Sequence, residues 1–330
     1  MANMEKKAEK YYLSIDQKCP VIAKHSRNLN LCYVTGKLDP CYHRDGLIQT
    51  IQRLLMRKNK ANILLTGPAG CGKTAIAEGL AAAITQRKLE QVWQEMLEEQ
   101  QYKTALRRWE RGGKVGEPPE KPIQTEQTAA PLSECVIYEL SLNSLVSGAR
   151  YRGDFEDRLE DVIRECKKNP NIILFIDEMH HLCRVGAAEG CVSAGQILKP
   201  ALARGDIRLV GATTTEEKAM LLEDKALARR FTELEVSELT GNAVTETARE
   251  ILTNYSAYHK VQTAVKAESI LEQIRFYLPN TVFPDNFINV VDETLAGAAF
   301  DGVPTVDMTH FNQTLSRLTG RIIICTAQAS

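Results

Sequence analysis

The stretch Gly67-Pro68-Ala69-Gly70-Cys71-Gly72-Lys73-Thr74, followed by Ala75, constrains this chain more than any other. It has the form G-x-x-x-x-G-K-[ST]. It stands directly after an apolar run, Asn62-Ile-Leu-Leu-Thr66, and directly before a segment with Ile76, Leu80 and Ile84 at four-residue spacing. Strand, glycine-rich turn and helix in that order curl backbone N–H groups inward and set the positive end of a helix behind them, which makes an anion cradle. Residues 67–75 are expected to hold the phosphates of a nucleoside triphosphate. Lys73 would reach the β- and γ-phosphates, and the Thr74 hydroxyl would ligate Mg²⁺.

Further apolar runs at Cys135–Leu140, Asn171–Ile176, Ile207–Val210 and Glu233–Val236 alternate with helical patterns. Strands of this kind, buried on both faces, predict an α/β fold: a P-loop parallel sheet sandwiched by helices. From about Val244 the pattern becomes helical only, through Ile251 and Tyr255, then Ile270, Ile274 and Tyr277, then Val290, Val291 and Leu295, then Phe311, Leu315 and Leu318. The expected boundaries are a leading segment 1–45, an α/β domain 46–240, a small all-helical domain 241–320 and a tail 321–330. Gly241-Asn242 supplies the break, and Pro284-Asp285 starts a helix.

The stretch Gln86 to Ser133 fits neither domain. Its first part, with Trp93, Leu97, Leu106 and Trp109 among many charges, reads as an amphipathic helix or helical pair, and its second part is rich in Gly and Pro around Gly112-Gly113 and Pro118-Pro119. A solvated helical hairpin with a flexible return is expected. A docking surface is the alternative, because both tryptophans of the chain lie here.

Downstream, the run Ile-Ile-Leu-Phe-Ile ends in Asp177-Glu178. An acidic pair at the carboxyl edge of such a sheet sits where ligands of open α/β sheets bind. Asp177 is expected to hold Mg²⁺, and Glu178 to polarise an attacking water. The next strand runs into Gly211-Ala-Thr-Thr-Thr215, where Thr214 could contact the γ-phosphate or that water, or simply cap a helix. Arg229 and Arg230 by themselves read as a charge pair at a helix C-terminus. His180, His181 and Cys183 lack a second ligand pair and are not read as a zinc site.

Composition narrows the function classes. Over 330 residues, 41 Lys plus Arg stand against 42 Asp plus Glu, a net charge of -1 that gives no global attraction to nucleic acid. No stretch approaches the ~20 apolar residues of a membrane span, so no membrane is expected and the cytoplasm is the expected compartment. Nine cysteines with no C-x-x-C pair read as reduced, mostly buried thiols.

Taken together, these stretches resemble the first AAA+ module of the Clp-type unfoldases and disaggregases. The resemblance is carried by Gly36–Pro40 with Arg44-Asp45, the phosphate loop, Leu145-Val-Ser-Gly-Ala-Arg-Tyr-Arg-Gly-Asp-Phe-Glu-Asp-Arg158, Ile172–His180, Ala194–Gly205, Gly211–Thr214 and Asp224–Phe231, and more loosely by Phe283–Asp285 and Val291–Glu293. It implies ATP and Mg²⁺ as cofactors, a homo-hexameric ring, and a protein substrate threaded through a central pore. It also implies that Arg229 and Arg230 are arginine fingers, that Thr214 is a sensor, and that Arg150, Tyr151, Arg152 and Gly153 form the pore loop, whose aromatic ring grips extended chains without regard to sequence. Two positions depart from the family. Tyr42-His43-Arg44-Asp45 replaces Ile-Gly-Arg-Asp beside the adenine pocket, and Pro284-Asp285-Asn286-Phe287 replaces Pro-Asp-Lys-Ala, losing a lid cation. No Clp substrate domain, coiled-coil middle domain or second module is recognisable, so recognition is expected through an adaptor or other partner protein, the first thirty residues or the Gln86 to Ser133 insertion, and coupling to a peptidase is not expected. An ATP-dependent scaffold and a nucleic-acid-directed AAA+ ATPase are the alternatives.

Overall fold

The computed structural model describes residues 2–58, 61–111, 114, 117–121, 132–147, 152–184, 194–223 and 225–323. Two compact units result, Met1–Leu65 with Thr74–Leu234, and Thr66–Lys73 with Glu235–Ser330. The phosphate loop thus clusters with the helical C-terminal residues.

The first unit is built on a six-stranded sheet. Its strands are β1 (Ser26–Asn28), β2 (Asn62–Thr66), β3 (Val136–Leu140), β4 (Ile172–Ile176), β5 (Arg208–Thr213) and β6 (Phe231–Glu235), in the order β1-β3-β4-β5-β2-β6. β3, β4 and β5 run parallel, with Val136 opposite Ile172 and Leu174 opposite Leu209, and β1 is antiparallel to β3. Every residue of β2 and β4 is buried, which is why both read as unbroken apolar runs. The five expected strands are all present. β1 was not legible, because Ser-Arg-Asn has no apolar run and only Asn28 is buried.

The leading segment is structural. Helices Ala2–Lys18, Pro20–His25 and Leu29–Val34 flank β1. Tyr12 is fully buried, and the Tyr138 hydroxyl donates to Asp16 at 2.6 Å. Burial, and then the bond to Asp16, pushes the Tyr138 phenol well above its ordinary range. Two buried asparagines satisfy backbone N–H groups of the sheet. Asn30 Oδ1 accepts from Ile137 N–H at 2.7 Å, and Asn62 Oδ1 accepts from Leu209 N–H at 3.0 Å. Two thiols accompany them, Cys166 buried and Cys41 half-buried, and desolvation pushes both up to about 12.

One continuous helix of 39 residues, Lys73–Arg111, leaves the phosphate loop and passes through Gln86 without a break. Nothing between Gln86 and Arg111 is Gly or Pro, so no residue there interrupts the backbone ladder, and a helical pair does not form. Its middle is tied down by Lys88, which pairs with Glu134 and lies 4.8 Å from the centroid of the Tyr11 ring. Trp93 is half-exposed. Gly112, Gly113 and residues 122–131 lie outside the described residues.

In the second unit, helices Asn242–His259, Ala267–Tyr277, Asp285–Phe300 and Met308–Thr319 bury Ile251, Ile270, Ile274, Phe287, Val291, Phe311 and Leu315. A two-residue parallel pair, β7 (Gln262–Thr263) and β8 (Thr305–Val306), adds a short sheet that helical periodicity gave no sign of. Asp307 closes a capping box with His310 at the start of the last helix.

Two outcomes are expected. Asn30→Leu leaves the Ile137 N–H without a partner inside the protein and should cost about 1–3 kcal/mol in urea unfolding. Glu134 is raised by burial but lowered further by its bonds from Lys88 and Tyr11, so its carboxyl sits below the ordinary range. Its stabilisation is therefore present above the ordinary glutamate value and is lost as the pH falls through the depressed one. Glu134→Gln should lower the melting temperature at neutral pH, and the gap from wild type should shrink below about pH 4.

Candidate functional site

The phosphate loop needs its glycines for space as well as for conformation. A Cβ on Gly67 would fall 2.3 Å from the Val236 carbonyl oxygen, and one on Gly70, where φ is +77°, would fall 2.7 Å from Asp285 Cβ. Gly72 has φ +92°. Val236 N–H donates to the Thr66 carbonyl at 2.7 Å and fixes the entry to the loop. Lys73 is nine-tenths buried, and its ammonium folds back to donate to the carbonyls of Gly67 (2.9 Å) and Pro68 (2.7 Å), 4.0 Å from Cys71 Sγ. In the same unit Asp285 opens its helix as expected, and Asn286, at the place of the missing cation, donates back to Thr281 Oγ1 at 3.0 Å.

In the sheet unit, Thr74 and Asp177 meet across 103 positions of sequence, the hydroxyl donating to Asp177 Oδ2 at 2.5 Å. The other carboxylate oxygen accepts from Glu178 N–H at 2.9 Å. A hydroxyl and a carboxylate side by side are the hard oxygen donors that Mg²⁺ takes, so these residues fit the ion.

Glu178 follows with φ +47°, a left-handed conformation rare outside glycine. Its side chain is exposed, and its Oε2 lies 3.1 Å from His181 Nε2. Met179 N–H then donates to the Ala212 carbonyl of β5 at 2.8 Å, while the Met179 side chain fills the space a Cβ on Gly211 would need, with its sulfur 2.2 Å from that position. Behind it His180 is buried, with Nδ1 3.0 Å from Glu217 Oε2, and its ring lies 4.2 Å from that of His181. Thr214 follows β5 directly. Its hydroxyl donates to Glu217 Oε2 at 2.9 Å and accepts from Glu217 N–H at 3.2 Å. Thr214 thus closes the turn that leads into the helix Lys218–Leu222, whose N-cap position is Glu217 and carries no side-chain cap bond.

His180 and His181 are engaged by Glu217 and Glu178, and among the described residues no group of three or more His, Cys, Asp or Glu could hold a metal ion. Glu217, His180 and His181 went unremarked as members of the site. Glu217 had a signal, since Thr214-x-x-Glu217 matches the capping-box spacing, whereas nothing in the sequence ties it to His180.

Arg229 and Arg230 follow the short helix Lys225–Ala228, and both are exposed. Arg150 and Tyr151 lie outside the described residues. Arg152 begins the helix Arg152–Lys168, and Gly153 has open space at its Cβ position, so packing does not demand a glycine there.

Comparison with known proteins bears on this arrangement directly. Residues 63–239, from β2 to just past β6, match the model of the ATPase family associated with various cellular activities (AAA). The chain is 35% identical over 282 residues to the chloroplastic chaperone protein ClpC1 of Oryza sativa subsp. japonica, covering 85% of this chain and 26% of that one. It is 36% identical over 280 residues to chaperone protein ClpB of Bacteroides thetaiotaomicron, covering 83% and 28%. It thus spans about a quarter of the length of these curated relatives. Among solved structures, the S. cerevisiae Hsp104–ADP complex matches with a TM-score of 0.69 and 30% identity, over 91% of this chain and 46% of that one. The extended S. cerevisiae Hsp104:casein complex also matches at 0.69, with 29% identity over 91% and 45%. With the family match extending across the phosphate loop, the Asp177-Glu178 turn and Thr214, the chain belongs to the AAA family of ATPases.

Proposed function

We propose that this chain hydrolyses ATP with Mg²⁺ and uses the energy, as a homo-hexameric ring, to pull on or remodel protein substrates. The observation that carries the hydrolytic part is the Thr74–Asp177 contact, with Glu178 next along the turn. The relatives, ClpB and ClpC chaperones and the Hsp104:casein complex, support the protein-directed part.

The backbone N–H groups of residues 67–75, other than Pro68, which has none, bind phosphate oxygens, and Lys73 exchanges its two carbonyl partners for phosphate. Thr74 and Asp177 hold the metal, which supplies Lewis-acid neutralisation of phosphate charge when bound. Glu178 leaves His181 to accept a hydrogen bond from the attacking water and orient it. Thr214 contacts that water. Arg229 and Arg230, exposed after their helix, reach the nucleotide of a neighbouring subunit, and Arg150, Tyr151, Arg152 and Gly153 contact the substrate chain. The free thiols of Cys19, Cys41 and Cys166, kept protonated by burial, suit a reducing compartment, and we assign the cytoplasm. An adaptor protein would deliver the substrate.

Glu178→Gln should lower steady-state ATP hydrolysis by roughly 100-fold or more while leaving nucleotide binding intact. An unchanged rate overturns the hydrolytic assignment. In light scattering with Mg·ATP the same variant should shift to about six subunits, and a monomer with and without nucleotide overturns the ring. Gly70→Ala, strained at φ +77° and crowded by Asp285, should bind ATP at least about ten-fold more weakly in a fluorescent-nucleotide titration. Tyr151→Ala should keep ATPase activity and lose remodelling of an unfolded test protein, whereas unimpaired remodelling points to a scaffold.

A further inference from the structure

Glu217 receives two hydrogen bonds at one oxygen. Its Oε2 lies 3.0 Å from His180 Nδ1 and 2.9 Å from Thr214 Oγ1. A carboxylate only accepts, so both neighbours must donate: His180 carries its ring proton on Nδ1, and Thr214 spends its single hydroxyl proton on Glu217. One Thr214 lone pair is taken by Glu217 N–H at 3.2 Å. The group left free on Thr214 is a second lone pair.

We infer that the His180–Glu217 pair is a positioning device that fixes the Thr214 hydroxyl as a hydrogen-bond acceptor for the attacking water. This rests on the roles of Glu178 and Thr214 given above. While the bond to Glu217 holds, Thr214 has no proton to offer a phosphate oxygen. It can accept one hydrogen of the water while Glu178 accepts the other. With both hydrogens held, the oxygen lone pairs of the water are left to face phosphorus. The support is rigid on the His180 side, because that ring is 2% exposed and its neighbour Met179 is bonded to Ala212 in β5 at 2.8 Å. The Glu178 turn and the Thr214 loop are thus joined by the Met179–Ala212 backbone bond, by the His180–Glu217 side-chain pair, and by a longer contact of 3.4 Å between His180 Nδ1 and Thr213 Oγ1.

The test begins without nucleotide. In ¹⁵N-histidine NMR of the full chain, His180 should be the Nδ1–H tautomer with a slowly exchanging proton, and Glu217→Ala should abolish that protection; an Nε2–H tautomer overturns the inference. Single-turnover hydrolysis of bound ATP then completes the cycle. Glu217→Ala should slow hydrolysis by about ten-fold or more, with Mg·ATP affinity by calorimetry changed less than about two-fold. It should have no further effect in a Thr214→Ala background, since a residue acting through another is not additive with it. Glu217→Gln, whose amide oxygen still accepts from Thr214, should recover most of the rate and guards against a folding defect in Glu217→Ala. Multiplicative losses in the double variant, an unchanged rate in Glu217→Ala, or a loss confined to affinity each overturn the inference. Failure of the ATPase reading is separate: there Glu178→Gln hydrolyses at the wild-type rate while the His180 signature persists.

Discussion

A single backbone hydrogen bond, Met179 N–H to the Ala212 carbonyl, joins the ends of the two central strands, which lead into Asp177 and Thr214. β4 and β5 are parallel neighbours, and their register brings Ile176 opposite Gly211. Beyond that pair the chain must turn away without separating. The left-handed Glu178 turns it, and Gly211, lacking a Cβ, lets the Met179 side chain lie flat on β5. Asp177 before the bond, His180 after it and Thr214 just past the end of the adjoining strand all take their positions from this joint. Strain at Glu178 is tolerated because its surroundings over-determine it.

The sheet behind the joint is held by groups chosen for satisfaction more than for bulk. Asn30 and Asn62 each cap a backbone N–H inside an otherwise apolar interior, where an unpaired amide is costly. The N-terminal helices contribute Tyr12 and its neighbour Asp16, which accepts from Tyr138, so the segment ahead of the α/β domain is part of the fold. In the phosphate loop, Lys73 shows the same economy. Its charge is buried against two carbonyls of its own loop, which keeps the ammonium satisfied and close to where an anion would take those bonds over.

Much of this was legible in the sequence because it is periodic or local. The strand cores of β2 and β4 are uninterrupted apolar runs, and the loop 67–74 is a contiguous motif whose glycines are demanded by positive φ or by close approach. The parts that escaped depend on distant partners. β1 is three polar-leaning residues whose pairing is decided by β3 more than a hundred positions away. His180 reads as one of two adjacent histidines, and only folding places it on Glu217. The long helix was divided at Gln86 because its apolar pattern weakens there as it leaves the core, although the backbone propensity for helix does not.

That helix also has a mechanical side. At 1.5 Å of rise per residue, its 39 residues make a rod of about 58 Å that begins at Lys73. A tilt of about 5° in its first turn, the scale on which a side chain exchanges one hydrogen-bond partner for another, carries Arg111 through about 5 Å. The rod is thus a pointer with large gain. An ångström-scale change in its first turn would be amplified into a displacement as wide as a side chain at its far end.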